Sequence, residues 1–207
     1  EVEYARKHGI DLIICDHHNV GPELPKATAV LDPKRPDCDY PFDGLSGAGV
    51  GFKLIQGTIQ KLGLSKTLAY KYLDLVAISI ASDIVPIVDE NRILMREGLS
   101  MINSNPRVGL MELLKLIKMR HGQITTSNIV FSVGPRINAA GRMGDATTAV
   151  ELMISTDETR ASRYAKELES TNKRRRNTDS QTMEQAVEKH DNNINMEELS
   201  SMVLHDP

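Results

Sequence analysis

An apolar stretch that runs straight into an acid and two histidines places the strongest limit on how this chain can fold. Gly9-Ile10-Asp11-Leu12-Ile13-Ile14-Cys15 is apolar and β-branched, and it reads as a buried strand. Asp16-His17-His18 follows at once, and Asn19-Val20-Gly21-Pro22 then reads as a loop. Upstream, Glu1 to His8 has the character of a helix tail stopped by Gly9. Downstream, Ala29-Val30-Leu31 reads as a second short strand closed by Asp32-Pro33. Strands alternating with helices imply an α/β fold with a parallel sheet. Open sheets of that class bind ligands in the crevice outside the carboxyl ends of their strands. Asp16, His17 and His18 are delivered to such a place, where they suit a metal or a phosphate. The plainer possibility is that they only cap backbone groups in the loop.

The bulk numbers narrow the class. A chain of 207 residues holds one large domain, or one domain and part of another. Its net charge of −3 gives no global basic field for nucleic acid, although a local basic patch remains open. Cys15 and Cys38 make no disulfide framework, which favours a reducing cytoplasm. No uncharged apolar run reaches membrane-spanning length, and no signal peptide is visible. The first residue is Glu1, in what reads as the middle of a strand-helix-strand unit. We therefore expect a stretch of a longer protein.

Further along, Pro33, Pro36 and Pro41 mark an irregular loop. Ser46-Gly47-Ala48-Gly49-Val50-Gly51 leads into a helix from about Phe52 to Leu62. Ser65 is expected to cap the next helix, whose stretch from Leu73 to Ile84 is almost wholly apolar and ends at Pro86. Asp89 and Asn105-Pro106 are start signals for two more. Thr126 is the expected cap of a short helix before Gly134-Pro135, and Asp145 of one through Met153. From Asp157 to about His190 the pattern is one long helix, about 50 Å at 1.5 Å per residue. It is apolar at both ends and polar from Glu169 to Thr182, which suits a bridge between domains. Met202-Val203-Leu204 reads as the first strand beyond it.

Several residues carry chemistry. Asp83 ends an apolar helix, where an ionised carboxylate is costly unless it is paired, bound to a cation, or used as a cap. Imidazole with carboxylates suits manganese or magnesium better than a thiolate-seeking metal, and the two cysteines form no zinc box. Ser46 to Gly51 at a helix start could offer backbone N–H groups to a phosphate. Gly134 to Gly144 reads as a glycine- and alanine-rich loop carrying Arg136, Asn138 and Arg142, whose guanidinium forks match phosphate oxygens. Arginines tied to carboxylates inside the domain are the alternative. Lys173-Arg174-Arg175-Arg176 is a charge run that either solvates a helix face or meets nucleic acid.

Taken together, these segments resemble the RecJ family of single-strand-specific exonucleases, in the DHH phosphoesterase superfamily. Asp16-His17-His18 matches the superfamily signature. Asp32 to Cys38 with Tyr40-Pro41-Phe42, Leu45 to Leu54, and above all Gly134 to Met143 resemble RecJ more narrowly. Ala81-Ser82-Asp83-Ile84-Val85-Pro86 matches a later metal-binding aspartate. The resemblance implies that His17 and Asp83 are metal ligands in a two-metal Mn2+ or Mg2+ site. It implies that His18 faces the scissile phosphate and that Asp16 orients the imidazoles. Ser46, Gly47, Gly49, Arg136, Asn138 and Arg142 would bind phosphates of single-stranded DNA.

The family's earlier aspartate motifs do not occur between Glu1 and Pro207, so the chain is expected to carry part of the metal site. The implied organisation is the C-terminal part of a DHH domain over 1–155, a long interdomain helix over 156–193, and the start of a DHHA1-type domain over 194–207. The implied activity is 5′→3′ exonucleolysis of single-stranded DNA in recombination and repair, in the cytoplasm and without a membrane. Two rivals remain at this point: a DHH phosphodiesterase for short oligonucleotides or cyclic dinucleotides, and a non-catalytic RecJ-like scaffold.

Overall fold

The computed structural model describes residues 1–193, with side chains through residue 188. The expected strand at Met202-Val203-Leu204 and the domain start over 194–207 lie outside the described residues. Helix α1 (Val2–Lys7) ends as expected, with Gly9 at φ +67. It precedes two parallel strands, β1 (Ile13–Cys15) and β2 (Ala29–Leu31), in register Ile13 to Ala29 and Cys15 to Leu31. The Asp16 amide continues the ladder by donating to Leu31 O at 2.9 Å. The strand is shorter than Gly9–Cys15 and is not buried throughout. Ile10 and Ile13 are both more than half exposed, because no described element covers that side.

Helices make up the rest. They are α2 (Gly47–Lys61), α3 (Thr67–Tyr70), α4 (Leu73–Asp83), α5 (Asp89–Ser104), α6 (Val108–Leu116), α7 (Thr126–Asn128), α8 (Gly134–Met143), α9 (Thr147–Ile154) and α10 (Glu158–Asn193). The apolar α4 is the centre of the core. Val76, Ala77, Ile78, Ile80 and Ala81 are all buried, and α2, α5 and α8 pack around them. Helix α5 lies so close that a Cβ on Gly98 would sit 2.3 Å from Leu73 O, so only glycine fits there. The first half of α10 packs on α6, α8 and α9 through Ala161, Ala165, Leu168 and the buried amide of Asn172. Beyond Asn172 its side chains through 188 are mostly exposed. The polar stretch of the sequence is thus the solvated half of one helix.

Four local expectations need correction. The segment from Gly134 is helix α8, not a loop. It continues from a π-helical turn over Ile129–Val133, and Pro135 is its second residue, at the junction of the two. The cap before α7 is Thr125, not Thr126. Its hydroxyl and the Asn128 side chain form a reciprocal capping box. The helix expected from Ser65 is two pieces, α3 and α4, with a break at Lys71-Tyr72. The start signal at Asn105-Pro106 falls just short of α6, which begins at Val108.

Candidate metal centre

The site is built from a strand end, a helix start and a helix end. Asp16 leaves β1 and turns back on its own loop. Its Oδ1 accepts from the His17 amide at 2.7 Å and the His18 amide at 3.2 Å, and lies 2.7 Å from His18 Nδ1. The His18 imidazole, followed by the amide of His17, holds the Asp16 carboxyl at about 2, well below the ordinary carboxylate range. Asp16 therefore orients His18 and leaves His18 Nε2 facing outward on a side chain that is 76% exposed. His17 turns the other way and is largely covered. Its Nε2 lies 3.6 Å from Oδ2 of Asp83, and its Nδ1 lies 3.7 Å from Asp16 Oδ1.

Because Asp16 is held so acidic, its contribution to stability is complete above the unfolded carboxylate value of about 3.9. That contribution is lost as pH falls through about 2. A carbon-13 NMR titration of the metal-free protein is expected to place the Asp16 midpoint near that lower value. A midpoint close to 4 would mean that the His18 contact is not made in solution.

Asp83 is the last residue of α4. There its charge faces the negative end of the helix dipole. Ile84 follows in a left-handed conformation, φ 56, which turns the chain sharply away. Arg92 and Arg96 are the basic residues nearest downstream of Asp83 in the chain. Arg96 instead pairs with Glu97, and among the described residues no Lys or Arg forms an ion pair with Asp83 or Asp16. The Asp83 carboxylate is 38% exposed, so water softens the cost that its apolar neighbours suggested. Oxygen and nitrogen donors around a cation at 2.0–2.2 Å stand about 3 Å apart. The His17–Asp83 spacing is near that value, the donor set is imidazole with carboxylate, and the local charge is negative. These residues fit a divalent cation. Asp16, His17 and His18 also offer ligand atoms lying within 4.8 Å of one another.

The phosphate-binding expectations fall out unevenly. Ser46 is fully buried, and its hydroxyl caps α2 by accepting from the Gly49 amide at 3.3 Å, so its side chain is not open to a ligand. The Ala48 amide is also engaged, by Ser79 Oγ. Gly47 instead backs the metal centre, since a Cβ there would approach His17 Nδ1 to 3.3 Å. Arg136 donates through Nε to Glu169 of α10 at 2.5 Å and through a terminal nitrogen to Ser132 O at 2.6 Å. It ties α8 to α10, as the alternative reading of these arginines foresaw. Asn138 reaches Ser82 O at 3.5 Å. Arg142 is exposed. With Asn138, Arg175 and the two residues that flank Asp83 in the chain, Ser82 and Ile84, it lines a cavity of about 220 Å³. Arg175 came from the charge run and was not singled out in the sequence. Only the packing of α10 on α8 brings it here.

Comparison with known proteins bears on this arrangement. Residues 1–80 match the DHH family, N-terminal domain. The single-stranded-DNA-specific exonuclease RecJ of Bacillus subtilis is 39% identical over 188 residues, which is 91% of this chain and 23% of that protein. The chain is homologous to RecJ. RecJ of Escherichia coli is 35% identical over 185 residues, covering 84% of this chain and 32% of RecJ. The chain thus spans 23–32% of the length of these RecJ relatives. A crystal structure of exonuclease RecJ bound to manganese superposes with a TM-score of 0.77 at 30% identity, covering 89% of this chain and 46% of the other. RecJ from Thermus thermophilus in complex with Mn2+ gives 0.74 at 30% identity, over 86% of this chain and 26% of that one. The mixed α/β fold with its small parallel sheet matches the corresponding part of the RecJ structures.

Proposed function

We propose that the protein containing this chain is a Mn2+- or Mg2+-dependent exonuclease that hydrolyses single-stranded DNA 5′→3′ in recombination and repair, in the cytoplasm. The observation that carries the reading is the convergence of His17 and Asp83, from a strand end and a helix end, with no Lys or Arg among the described residues paired to Asp83. The likeness to RecJ also runs far past Asp16-His17-His18, which favours this activity over an oligonucleotide or cyclic-dinucleotide phosphodiesterase. Residues 1–155 would belong to the DHH domain, with α10 carrying the chain toward a second domain.

His17 and Asp83 would hold the cation, which supplies electrophilic polarisation of the phosphate and an activated water. The start of α2 lies behind the His17 imidazole, and Gly47 leaves the ring room there, since a Cβ would come within 3.3 Å of Nδ1. Asp16 engages His18 Nδ1 and so presents Nε2 to a scissile phosphate, where a ring protonated on both nitrogens can donate a hydrogen bond or a proton. Arg142 lines a cavity, walled also by the Ser82 and Ile84 that flank Asp83, that suits the phosphates of a single strand, whereas Arg175 on its rim is paired with Asp179. With Arg136 bound to Glu169, Arg142 is the better strand contact of the two.

The direct test is digestion of 5′-labelled single-stranded and duplex DNA with Mn2+, and again with a chelator. Release of label from the single strand alone, and only with metal, is the expected result. Attack on duplex, or digestion in chelator, would refute the assignment. Arg142→Ala is expected to weaken single-strand binding and to make the slope of log affinity against log salt shallower by about 0.7. Arg136→Ala should act mainly on stability, through the lost tie to α10. Salt titration of a fluorescent oligonucleotide measures the slope, and an unchanged slope in Arg142→Ala would assign that arginine to the solvent surface.

A further inference from the structure

Ser79 stands one helical turn before Asp83 on the same face of α4. Its hydroxyl makes two hydrogen bonds. It accepts from the Ala48 amide at 3.3 Å and donates to Asp83 Oδ2 at 3.3 Å. A helical serine commonly turns its proton back to the carbonyl four residues earlier. Here the proton goes forward to a carboxylate instead. The Ala48 amide is one of the first-turn donors of α2 that no helical carbonyl can satisfy. By occupying one lone pair of Oγ, it helps fix where the hydroxyl proton points. Oδ2, which receives that proton, is also the oxygen that faces His17 Nε2.

We propose that Ser79 is a positioning residue of the metal centre: held by Ala48, it fixes the Asp83 carboxylate in the orientation that meets a divalent cation beside His17. The proposal rests on the reading of Asp83 as a metal ligand. Asp83 needs such a restraint. It ends its helix, and its side chain is 38% exposed. The left-handed turn at Ile84 also removes the next helical turn that would have packed against it. Without Ser79 the carboxylate is free to rotate into water. The first turn of α2 then acts as a common template for both ligands. Gly47, lacking a side chain, leaves room for the imidazole of His17, and Ala48, its neighbour, sets Asp83 through Ser79.

Partners that orient a metal ligand typically change metal affinity by about 10–100-fold when removed. The test is direct Mn2+ binding, by electron paramagnetic resonance of the free ion, to the full protein as a double-mutant cycle. Ser79→Ala is expected to raise the Mn2+ dissociation constant about tenfold. The thermal midpoint and the single-strand affinity in chelator should not change. In an Asp83→Ala background the same substitution should have no further effect, because its only route to the cation is gone. Three results would overturn the proposal: unchanged Mn2+ affinity in Ser79→Ala, a loss of affinity matched by a fall in thermal midpoint, or an equal loss with and without Asp83. If Asp83→Ala alone leaves Mn2+ affinity intact, Asp83 is not a ligand, and the underlying reading fails along with the proposal.

Discussion

Asp83→Ala is expected to lower metal-dependent cleavage of single-stranded DNA by at least about 10²–10³-fold, the scale of losing one preorganised electrostatic contact to a transition state. Single-strand affinity in chelator should stay close to that of the unmodified protein, because the carboxylate faces His17 and not the cavity arginines. His17→Ala should behave in the same way. His18→Ala should differ: its imidazole is exposed and tethered to Asp16, so the rate falls while Mn2+ binding persists. Measuring Mn2+ binding and cleavage rate on all three variants separates metal ligands from the group that meets substrate. If Asp83→Ala and His18→Ala lose Mn2+ affinity equally, the division of roles is wrong.

The second large effect concerns stability. Asp74 is fully buried in the first turn of α4 and receives a two-pronged ion pair from Arg107, with both N–O distances at 2.6 Å. The remaining guanidinium nitrogen donates to Met153 O at 2.8 Å, so one side chain joins α4, the start of α6 and the end of α9. Removing one partner of a buried pair strands the other charge and costs about 3–5 kcal/mol. Arg107→Met is therefore expected to lower the thermal midpoint by roughly 6–20 °C, at about 2–4 °C per kcal/mol for a domain of this size. Adding Asp74→Leu should recover much of that loss, since no charge is then left buried. Thermal unfolding of the single and double variants checks both statements. A double variant no more stable than Arg107→Met would mean that shape, and not the stranded charge, dominates.

Much of this protein was legible in its residues, where the signal is local. Gly9 as a helix stop, Ala29 to Leu31 as a strand and Glu158 to Asn193 as one helix all follow from short-range sterics and periodicity. Asp16-His17-His18 at a strand end is likewise a local fact, as is the tether of His18 to Asp16 two residues away. Gly134 to Met143 was misread because Gly-Pro is a breaker in isolation. In the fold the preceding π-helical turn already supplies the helical backbone, and Pro135 sits at its junction with α8.

What the residues alone could not decide is which side chains meet across the chain. Asp83 reaches His17 only because α4 runs through the core and ends beside the carboxyl end of β1. Arg136 and Arg142 lie in one short segment and look alike in sequence. The packing of α10 on α8 binds one to Glu169 and leaves the other exposed beside a cavity that also takes in Arg175. Ser79 gave no signal until α2 placed the Ala48 amide against it. Where most helices and strands lie, and which residues could ligate a cation, depends on neighbours a few positions away, so the order of residues already carries it. Which of those candidates converge, and which are spent on internal ion pairs, depends on the docking of elements far apart in the chain, and only the folded molecule holds that information.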